Sequence, residues 1–233
     1  MPDHACNSEA RQIGLFFAIL FRCRPNGHCF SLIHMTIRTY HILLVYFSVI
    51  LAANGQTEKS ISLKNSSFEG VPHDARNPEG WSSCGVASTP DILPGPWGVY
   101  QKPTDGNTYL GLITREKNDW EAIEQRLKVP LKKHSCYSFQ VDLALSPSYA
   151  GYSKPVVFRV WAGLTSCSRD KLIAQSPRID HIEWKTYDFM FATEQNSYKY
   201  IIIEAYYAQP TLTYYRGNIL VDNISVFKPC DRA

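Results

Sequence analysis

Asn65-Ser-Ser-Phe-Glu-Gly70 and Ile219-Leu-Val-Asp-Asn-Ile-Ser-Val-Phe227 frame a long strand-rich region, and each predicts a strand at one end of it. Between them, Cys136–Leu145 alternates regularly: aromatic and aliphatic residues occupy the odd positions, and Ser, Gln, Asp and Ala occupy even ones. A period of two residues is typical of a strand with one buried face. The region between the framing segments is therefore predicted to form β-sheet.

Further stretches carry strand signals separated by turn-forming residues. Trp120–Leu131 is open to a helical interpretation, because Glu and Gln are good helix formers, but Pro130 and the β-like run that follows favour a strand. About nine strands with Pro- and Gly-bearing loops predict an all-β fold, an antiparallel two-sheet jelly-roll sandwich. The remaining predicted strands are Thr108–Ile113, Val156–Gly163, Trp184–Phe191 and Tyr198–Tyr207.

The N-terminal region predicts export. Ile42–Ala53 is an apolar run of 12 residues followed by small residues, which is the pattern of a signal peptide over 35–55 with cleavage near Gly55. The run is shorter than the roughly 20 apolar residues of a membrane span. Residues 1–34 are interpreted as a mistaken upstream start; an unusually long signal and a membrane-associated hairpin are the alternatives. A single domain, 56–233 with its core at 65–227, is expected in the periplasm, at the outer cell surface or outside the cell.

The charge of the predicted domain excludes some partners. The formal net charge of +3 falls to +1 over residues 56–233, because residues 1–55 hold 4 of the 24 basic and 2 of the 21 acidic residues. A near-neutral domain gives no electrostatic reason to expect nucleic acid or an anionic membrane as partner. We therefore expect neither, and no stable membrane span in the mature chain.

Four cysteines follow the predicted signal peptide, and an even number in an exported domain points to disulfides. Three pairings are possible, and free thiols are the alternative. Because Cys136 begins one predicted strand and Cys230 ends the last, we favour Cys136–Cys230 together with Cys84–Cys167. The spacing fits no zinc-binding pattern.

Several short motifs, taken in order, resemble one family of domains. The match runs from Asn65 to Phe227 and resembles the galactose-binding-like jelly rolls, among them carbohydrate-binding modules. It is most similar to those of secreted and surface proteins of gliding-type Gram-negative bacteria. Such domains open with Asn-x-x-Phe-Glu and close with an apolar strand carrying Asp-Asn. The motifs that carry the resemblance include Gly80-Trp81, Ser88-Thr-Pro-Asp91, Asp105-Gly-Asn-Thr-Tyr-Leu-Gly-Leu112, Val129-Pro-Leu131, Trp184-Lys-Thr-Tyr187 and Val221-Asp-Asn-Ile224.

The resemblance also implies a structural calcium ion that ties the first strand to the last. Carried over to this chain, Glu69 and Asp222 are the carboxylate ligands, and backbone carbonyls near Asn65 and Asn107 complete the shell. Calcium takes six to eight oxygen ligands, and two carboxylates neutralise its charge. The alternative is that Asp222 and Asn223 only cap a strand bend and that Glu69 pairs with a lysine.

Candidate ligand-binding residues combine aromatic rings with planar polar groups, because sugars stack their C–H faces on aromatic rings and hydrogen-bond through their hydroxyls. Six such residues occupy the outer positions of predicted strands and are expected on one concave face; an ordinary solvated face is the alternative. Asp91 and Trp97, in the predicted loop 88–100, form a second candidate group. The six strand residues are Gln140, Asp142, Arg159, Trp161, Glu204 and Tyr206.

No catalytic motif supports an enzyme. HExxH, GxSxG and phosphate-binding glycine loops are absent, and the three histidines of residues 56–233 lack metal-ligand spacing. Asp142 and Glu204 could form a hydrolytic carboxylate pair only if the fold placed them face to face. We therefore expect a non-catalytic module that binds carbohydrate. The alternative is a structural or adhesive surface domain that binds a protein partner or a cell-wall component.

Overall fold

A computed structural model describes residues 59–85, 87–209 and 212–230, and two short strands near the N-terminus, β1 (Arg22–Cys23) and β2 (Cys29–Phe30). The chain divides into two compact units, Met1–Thr57 and Glu58–Ala233. In the first unit, β1 and β2 pair in antiparallel fashion. The predicted signal peptide lies outside the described residues, as does most of the segment 1–34. Within the described part of the chain, no helix is long and apolar enough to cross a membrane.

The second unit is built almost entirely from strands. Its only described helical element is a single 3₁₀ turn at Pro96–Gly98. The strands are β3 (Ser82–Ser83), β4 (Asp91–Leu93), β5 (Tyr109–Arg115), β6 (Asp119–Trp120), β7 (Ala122–Leu131), β8 (Cys136–Ala144), β9 (Lys154–Gly163), β10 (Lys171–Gln175), β11 (Lys185–Ala192), β12 (Tyr198–Tyr207), β13 (Gly217–Asp222) and β14 (Lys228–Pro229).

These strands form one curled, mixed sheet with two arms. The first arm has the order β11-β8-β13-β5-β4, with β6 also on β5 and β14 also on β8. The second arm has the order β10-β9-β12-β7-β3. All neighbours are antiparallel except β13 and β9, whose short parallel pairing at Gly217–Lys154 and Asn218–Pro155 joins the arms. The all-β prediction is confirmed, whereas the prediction of two separate sheets is not, because this pairing makes the sheet continuous.

The main hydrophobic core lies between the two arms. Alternate residues of β8 in the first arm, such as Phe139 and Val141, share one buried cluster with Phe158 of β9 and with Ile201 and Ile203 of β12 in the second. Residues of opposite parity on the same strands therefore face away from this core. This assignment of faces decides which polar side chains can meet.

Most predicted strands occur where expected, but the framing segments differ. Trp120–Leu131 is extended, so the strand interpretation is confirmed over the helical one. Residues 65–70 form a turn, because Asn65 and Phe68 have φ angles of 49° and 55°. The Asn65 side chain stabilises that turn by accepting from the Glu69 amide at 2.7 Å. The predicted strand 219–227 is shorter in the structure: β13 ends at Asp222, and Asn223 also takes a positive φ of 51°.

Both predicted disulfides are present. Cys84 pairs with Cys167 and Cys136 with Cys230, across 83 and 94 residues of sequence. The second bond links the start of β8 to the segment that follows β14. All four cysteines of residues 59–230 are in disulfides in this structure, so the alternative prediction of free thiols is not supported.

A buried carboxylate beside β7 makes the stability of the fold depend on pH. Glu121 is fully buried and accepts hydrogen bonds from Arg115 at 2.7 Å, from the Thr89 hydroxyl at 2.9 Å and from the Ile113 amide at 3.1 Å. Burial raises the pKa of Glu121 to about 7, despite the opposing charge of Arg115. Burial also raises the pKa of Asp91 and of Asp222.

Unfolding free energy is expected to fall as the pH rises from 5 to 8. The folded state binds more protons than the unfolded state between the unfolded pKa of 4.5 and the folded pKa of about 7. Glu121 alone contributes a loss of up to about 3 kcal/mol across this window. Urea denaturation at pH 5 and pH 8 measures the free energy of unfolding at each pH. The difference between the two values should be smaller in the Glu121→Gln variant. A protein that is more stable at pH 8 would contradict this assignment.

Candidate functional site

Four of the six candidate strand residues meet on the outer face of the second arm. Arg159 and Trp161 of β9 and Glu204 and Tyr206 of β12 have the parity that points away from the core. Arg159 stands directly opposite Glu204 in the antiparallel register of β9 and β12. The prediction that these four share one face is therefore consistent with the structure.

Glu204 is the centre of this group. Its carboxylate is 1% exposed and accepts three hydrogen bonds, from Trp161 Nε1 at 2.8 Å, Trp120 Nε1 at 2.9 Å and Arg169 Nε at 2.7 Å. A buried charge is tolerated only when it is paired and hydrogen-bonded. The arrangement therefore holds two indole rings and one guanidinium group in defined orientations.

Two further side chains extend the group at its outer edge. The guanidinium of Arg159 lies over the ring of Tyr206, 3.5 Å from its centroid, and its Nε donates to Gln175 Oε1 at 2.8 Å. The Trp120 ring meets Tyr206 edge to face at 4.8 Å. Trp120, Trp161, Arg159 and Tyr206 are all half-buried, so part of each remains accessible. We call Trp120, Arg159, Trp161, Arg169, Glu204 and Tyr206 together the Glu204 cluster.

A strap, residues 164–170 between β9 and β10, lies across the same face. Its Cys167 forms the disulfide with Cys84, and these sulfur-bearing residues pack with Ile202 and Trp161. The strap is also held on β7, where Glu124 accepts from the Ser166 hydroxyl at 2.7 Å and from the Cys167 amide at 2.5 Å. Because Arg169 belongs to the strap, these attachments set its position against Glu204.

Sequence reasoning did not identify Trp120 or Arg169 as site residues. Trp120 lies in β6, where it hydrogen-bonds a residue 84 positions away, and Arg169 lies in a loop with no strand periodicity. The one local signal was the neighbouring Cys167, because a disulfide in a loop indicates that the loop is held against another part of the fold. That signal does not say what lies beneath the loop.

Gln140 and Asp142 do not join the cluster. Both lie on β8, and their neighbours Phe139 and Val141 enter the core from the first arm, so these two polar residues face the opposite side of the molecule. Gln140 donates to Asp188 at 2.7 Å, while Asp142 accepts from Thr186 at 2.6 Å. The prediction that all six residues share one concave face is therefore wrong. Asp142 does not face Glu204.

Asp91 and Trp97 also lie apart from the cluster. Asp91 is part of β4 and is buried, accepting from the Ala75 amide at 2.8 Å and from the Tyr149 hydroxyl. The prediction that Asp91 lies in an exposed loop is therefore wrong. Its carboxylate makes hydrogen bonds inside the protein and does not reach solvent. Trp97 lies in the 3₁₀ turn and is 46% exposed, which leaves it available for contacts outside the chain.

The four residues predicted for calcium lie where the turn 65–70 meets the loop 104–108. The Glu69 carboxylate accepts from the Asn107 amide at 2.9 Å, and Asp222 accepts from the Thr104 amide at 2.8 Å and from Asp105 at 3.1 Å. The Asn65 carbonyl accepts from Trp81 Nε1 at 3.1 Å. These oxygens thus face N–H donors, which occupy lone pairs that a cation would need.

Calcium at this corner stays a prediction, and the structure supplies a competing role for its residues, which is to cap the loop 104–108. If calcium binds, added calcium should raise the melting temperature and a chelator should lower it, because a ligand that binds only the folded state stabilises it. Differential scanning fluorimetry measures both changes, with magnesium at equal concentration as control. An unchanged melting temperature in all conditions would leave loop capping as the only role of Glu69 and Asp222.

One further group has metal-ligating atoms close together among the described residues. Cys84, Glu124 and Cys167 bring one ligand atom each within 4.8 Å of one another. Both cysteines are used by the disulfide, and Glu124 is held by the strap. These three residues therefore serve to hold the strap against β7.

An open cleft of about 490 Å³ lies beside the edge of β7. Tyr200 and Arg126, which stand opposite each other on β12 and β7, border it. Its remaining lining residues are Ser62, Leu63, Lys64, Gly80, Ser82, Glu124, Gln125 and Lys128. The cleft thus shares β12 with the Glu204 cluster.

Comparison with known proteins supports the fold and does not extend to function. No protein-family model matches the chain, and no curated protein matches its sequence. A cyclase from Fischerella sp. TAU aligns with a TM-score of 0.52 and 18% identity, over 75% of this chain and 99% of its own. A second structure of a cyclase from this organism, in complex with 4-(1H-indol-3-yl)butan-2-one, aligns with a TM-score of 0.51 and 18% identity, over 75% of this chain and 100% of its own.

Carbohydrate-binding modules are also among the structural neighbours. The CBM22-1 xylan-binding domain of Paenibacillus barcinonensis Xyn10C aligns with a TM-score of 0.47 and 14% identity, over 76% of this chain and 99% of its own. Modules of families 16 and 4 align with TM-scores of 0.43. The two cyclase structures with TM-scores above 0.5 indicate a related fold, and their identity of 18% leaves the function to be argued from the site.

Proposed function

We propose that this chain is a secreted, non-catalytic module that binds carbohydrate on the outer face of its second arm. The observation that supports this most directly is the Glu204 cluster. It presents four half-buried side chains, of which Trp120, Trp161 and Tyr206 are aromatic and Arg159 is a planar donor. Aromatic faces stack on the C–H faces of a sugar, and a guanidinium group hydrogen-bonds its hydroxyls.

The hydrogen bonds within the cluster favour binding by pre-organisation. Trp120 and Trp161 are both held by Glu204 through their indole N–H groups, so their rings lose little conformational freedom when a ligand binds. Ordering a side chain on binding otherwise costs about 0.5–1.5 kcal/mol. A rigid, partly exposed aromatic pair is therefore a better binding surface than the same rings on free side chains.

The state of Glu204 supports the non-catalytic interpretation. A general acid or base must reach the reacting group with a free lone pair or proton. Glu204 is 1% exposed and already accepts from three donors. Its role in this proposal is to position Trp120, Trp161 and Arg169.

We propose further that the predicted signal peptide directs secretion of the chain. We also propose that the chain is related to the surface proteins of gliding-type Gram-negative bacteria. Two disulfides support an oxidising compartment outside the cytoplasm, because such bonds are rare in reducing ones.

A glycan array followed by calorimetry with the purified protein tests the proposed function. Tyr206→Ala is the primary variant, because Tyr206 contacts Arg159 and Trp120 without donating to Glu204. It should weaken binding about tenfold, while Trp161→Ala should abolish it. Trp97→Ala and Gln140→Ala, which lie elsewhere, are the matched controls and should bind normally. Folded protein that binds no glycan would shift the assignment to adhesion through a protein partner.

A further inference from the structure

We infer that the cleft beside β7 binds the negatively charged group of an acidic polysaccharide, so that the ligand of this module carries carboxylate or sulfate groups. This inference rests on the proposed function and names the ligand class for the same outer face. It is carried by two cations, Arg126 and Lys128, that line the cleft and form no ion pair with any carboxylate of the described residues.

The two cations lie on one face of one strand. Leu127 between them is buried in the core, so Arg126 and Lys128 both point outward. Residues two apart on a strand are separated by about 7 Å, at which distance like charges repel each other. An anion bound between the two side chains would replace this repulsion with two attractive contacts.

Neither cation is neutralised within the part of the chain that the structure describes, and both are exposed. The carboxylate that lines the cleft, Glu124, is directed to the strap by its bonds to Ser166 and Cys167. Lys64, a third cation at the rim, is bound to Glu79 at 2.8 Å. Among the described residues, five other Lys and Arg side chains form ion pairs with carboxylates of this chain, namely Arg115, Arg169, Lys171, Arg178 and Arg216.

The other lining groups suit a sugar. Tyr200 offers a half-buried ring, and Ser62 and Ser82 offer exposed hydroxyl groups beside the two cations. Gln125 is not available, because its amide bridges the backbone of Lys64 and Gly80. Aromatic, hydroxyl and cationic groups in one cleft match a charged sugar better than they match an isolated inorganic anion.

The cleft continues the face that holds the Glu204 cluster. Tyr200 and Tyr206 have the same parity on β12, and six residues of a strand separate them by roughly 20 Å. The strap lies between, since it packs on Ile202. A ligand that contacts both ends must therefore be an oligosaccharide or polymer that extends past the strap.

Calorimetry with three polysaccharides tests the inference: polygalacturonate for carboxylate, dextran sulfate for sulfate, and xylan as a neutral comparison. Wild type should bind one of the acidic polymers at least tenfold more tightly than xylan, and 500 mM salt should reduce that preference. The double variant R126A/K128A should lose the preference while keeping its affinity for xylan. The variant K185A/K228A removes two exposed lysines from the first arm and should behave as wild type.

The outcomes separate the two proposals. Equal affinity for acidic and neutral polymers, or a preference that R126A/K128A retains, would overturn the inference and leave carbohydrate binding intact. An equal loss in K185A/K228A would reduce the effect to overall charge and also overturn it. Absence of binding to all three polymers and to the glycan array would overturn both proposals. The polymer that R126A/K128A stops preferring identifies the anion as carboxylate or sulfate.

Discussion

Replacing Glu204 with alanine is expected to lower the free energy of unfolding by about 3 kcal/mol and to abolish carbohydrate binding. The substitution removes the acceptor of Trp120, Trp161 and Arg169 at once. Removing one partner of a buried ion pair is costly, because the remaining group loses its counter-charge. We take the low end of the usual range of about 3–5 kcal/mol, since Arg169 is 32% exposed and can recover contact with water.

Urea denaturation followed by tryptophan fluorescence measures the loss of stability, because two of the affected groups are indoles, and calorimetry with a glycan that wild type binds measures the loss of binding. Glu183→Ala is the matched control: Glu183 is exposed, and a surface substitution of this kind changes stability by no more than about 0.5 kcal/mol. Glu204→Gln keeps the size of the side chain and should give an intermediate loss. A Glu204→Ala protein with wild-type stability and affinity would falsify the role assigned to the cluster.

Reducing both disulfides is expected to have the largest effect on stability. The bonds span 83 and 94 residues, and loops of this size correspond to about 4.5 kcal/mol each in the chain-entropy description. Loss of both is comparable to the whole stability of a typical domain, about 5–15 kcal/mol. We therefore expect the reduced protein to be largely unfolded at 37 °C, as measured by circular dichroism with and without reductant.

The two bonds should differ in their effect on binding. C84S/C167S releases the strap and with it the position of Arg169, whereas C136S/C230S opens a link at the end of the first arm. At a temperature where both variants are folded, the first should bind glycan at least tenfold more weakly than the second. Equal affinities would show that the strap does not support the cluster.

Much of the fold follows from local patterns. The alternation of Cys136–Leu145 and Tyr198–Tyr207 predicted both strands and the side on which each residue lies, because side chains on a strand alternate whatever the neighbours are. The turn at 65–70 was missed, since its positive φ angles depend on hydrogen bonds made by Asn65 and on the burial of Phe68.

The candidate site, like the fold, follows partly from local sequence patterns and partly from contacts between distant strands. From the sequence alone, Arg159, Trp161, Glu204 and Tyr206 could be assigned to outward-facing positions, and the four cysteines to two disulfides. The three-dimensional structure was needed to show that Gln140 and Asp142 face the other side, that Asp91 is buried, and that Trp120 and Arg169 complete the cluster. The physical reason is that alternation distinguishes the inside of a sheet from its outside, whereas the pairing of distant strands decides which outward faces meet.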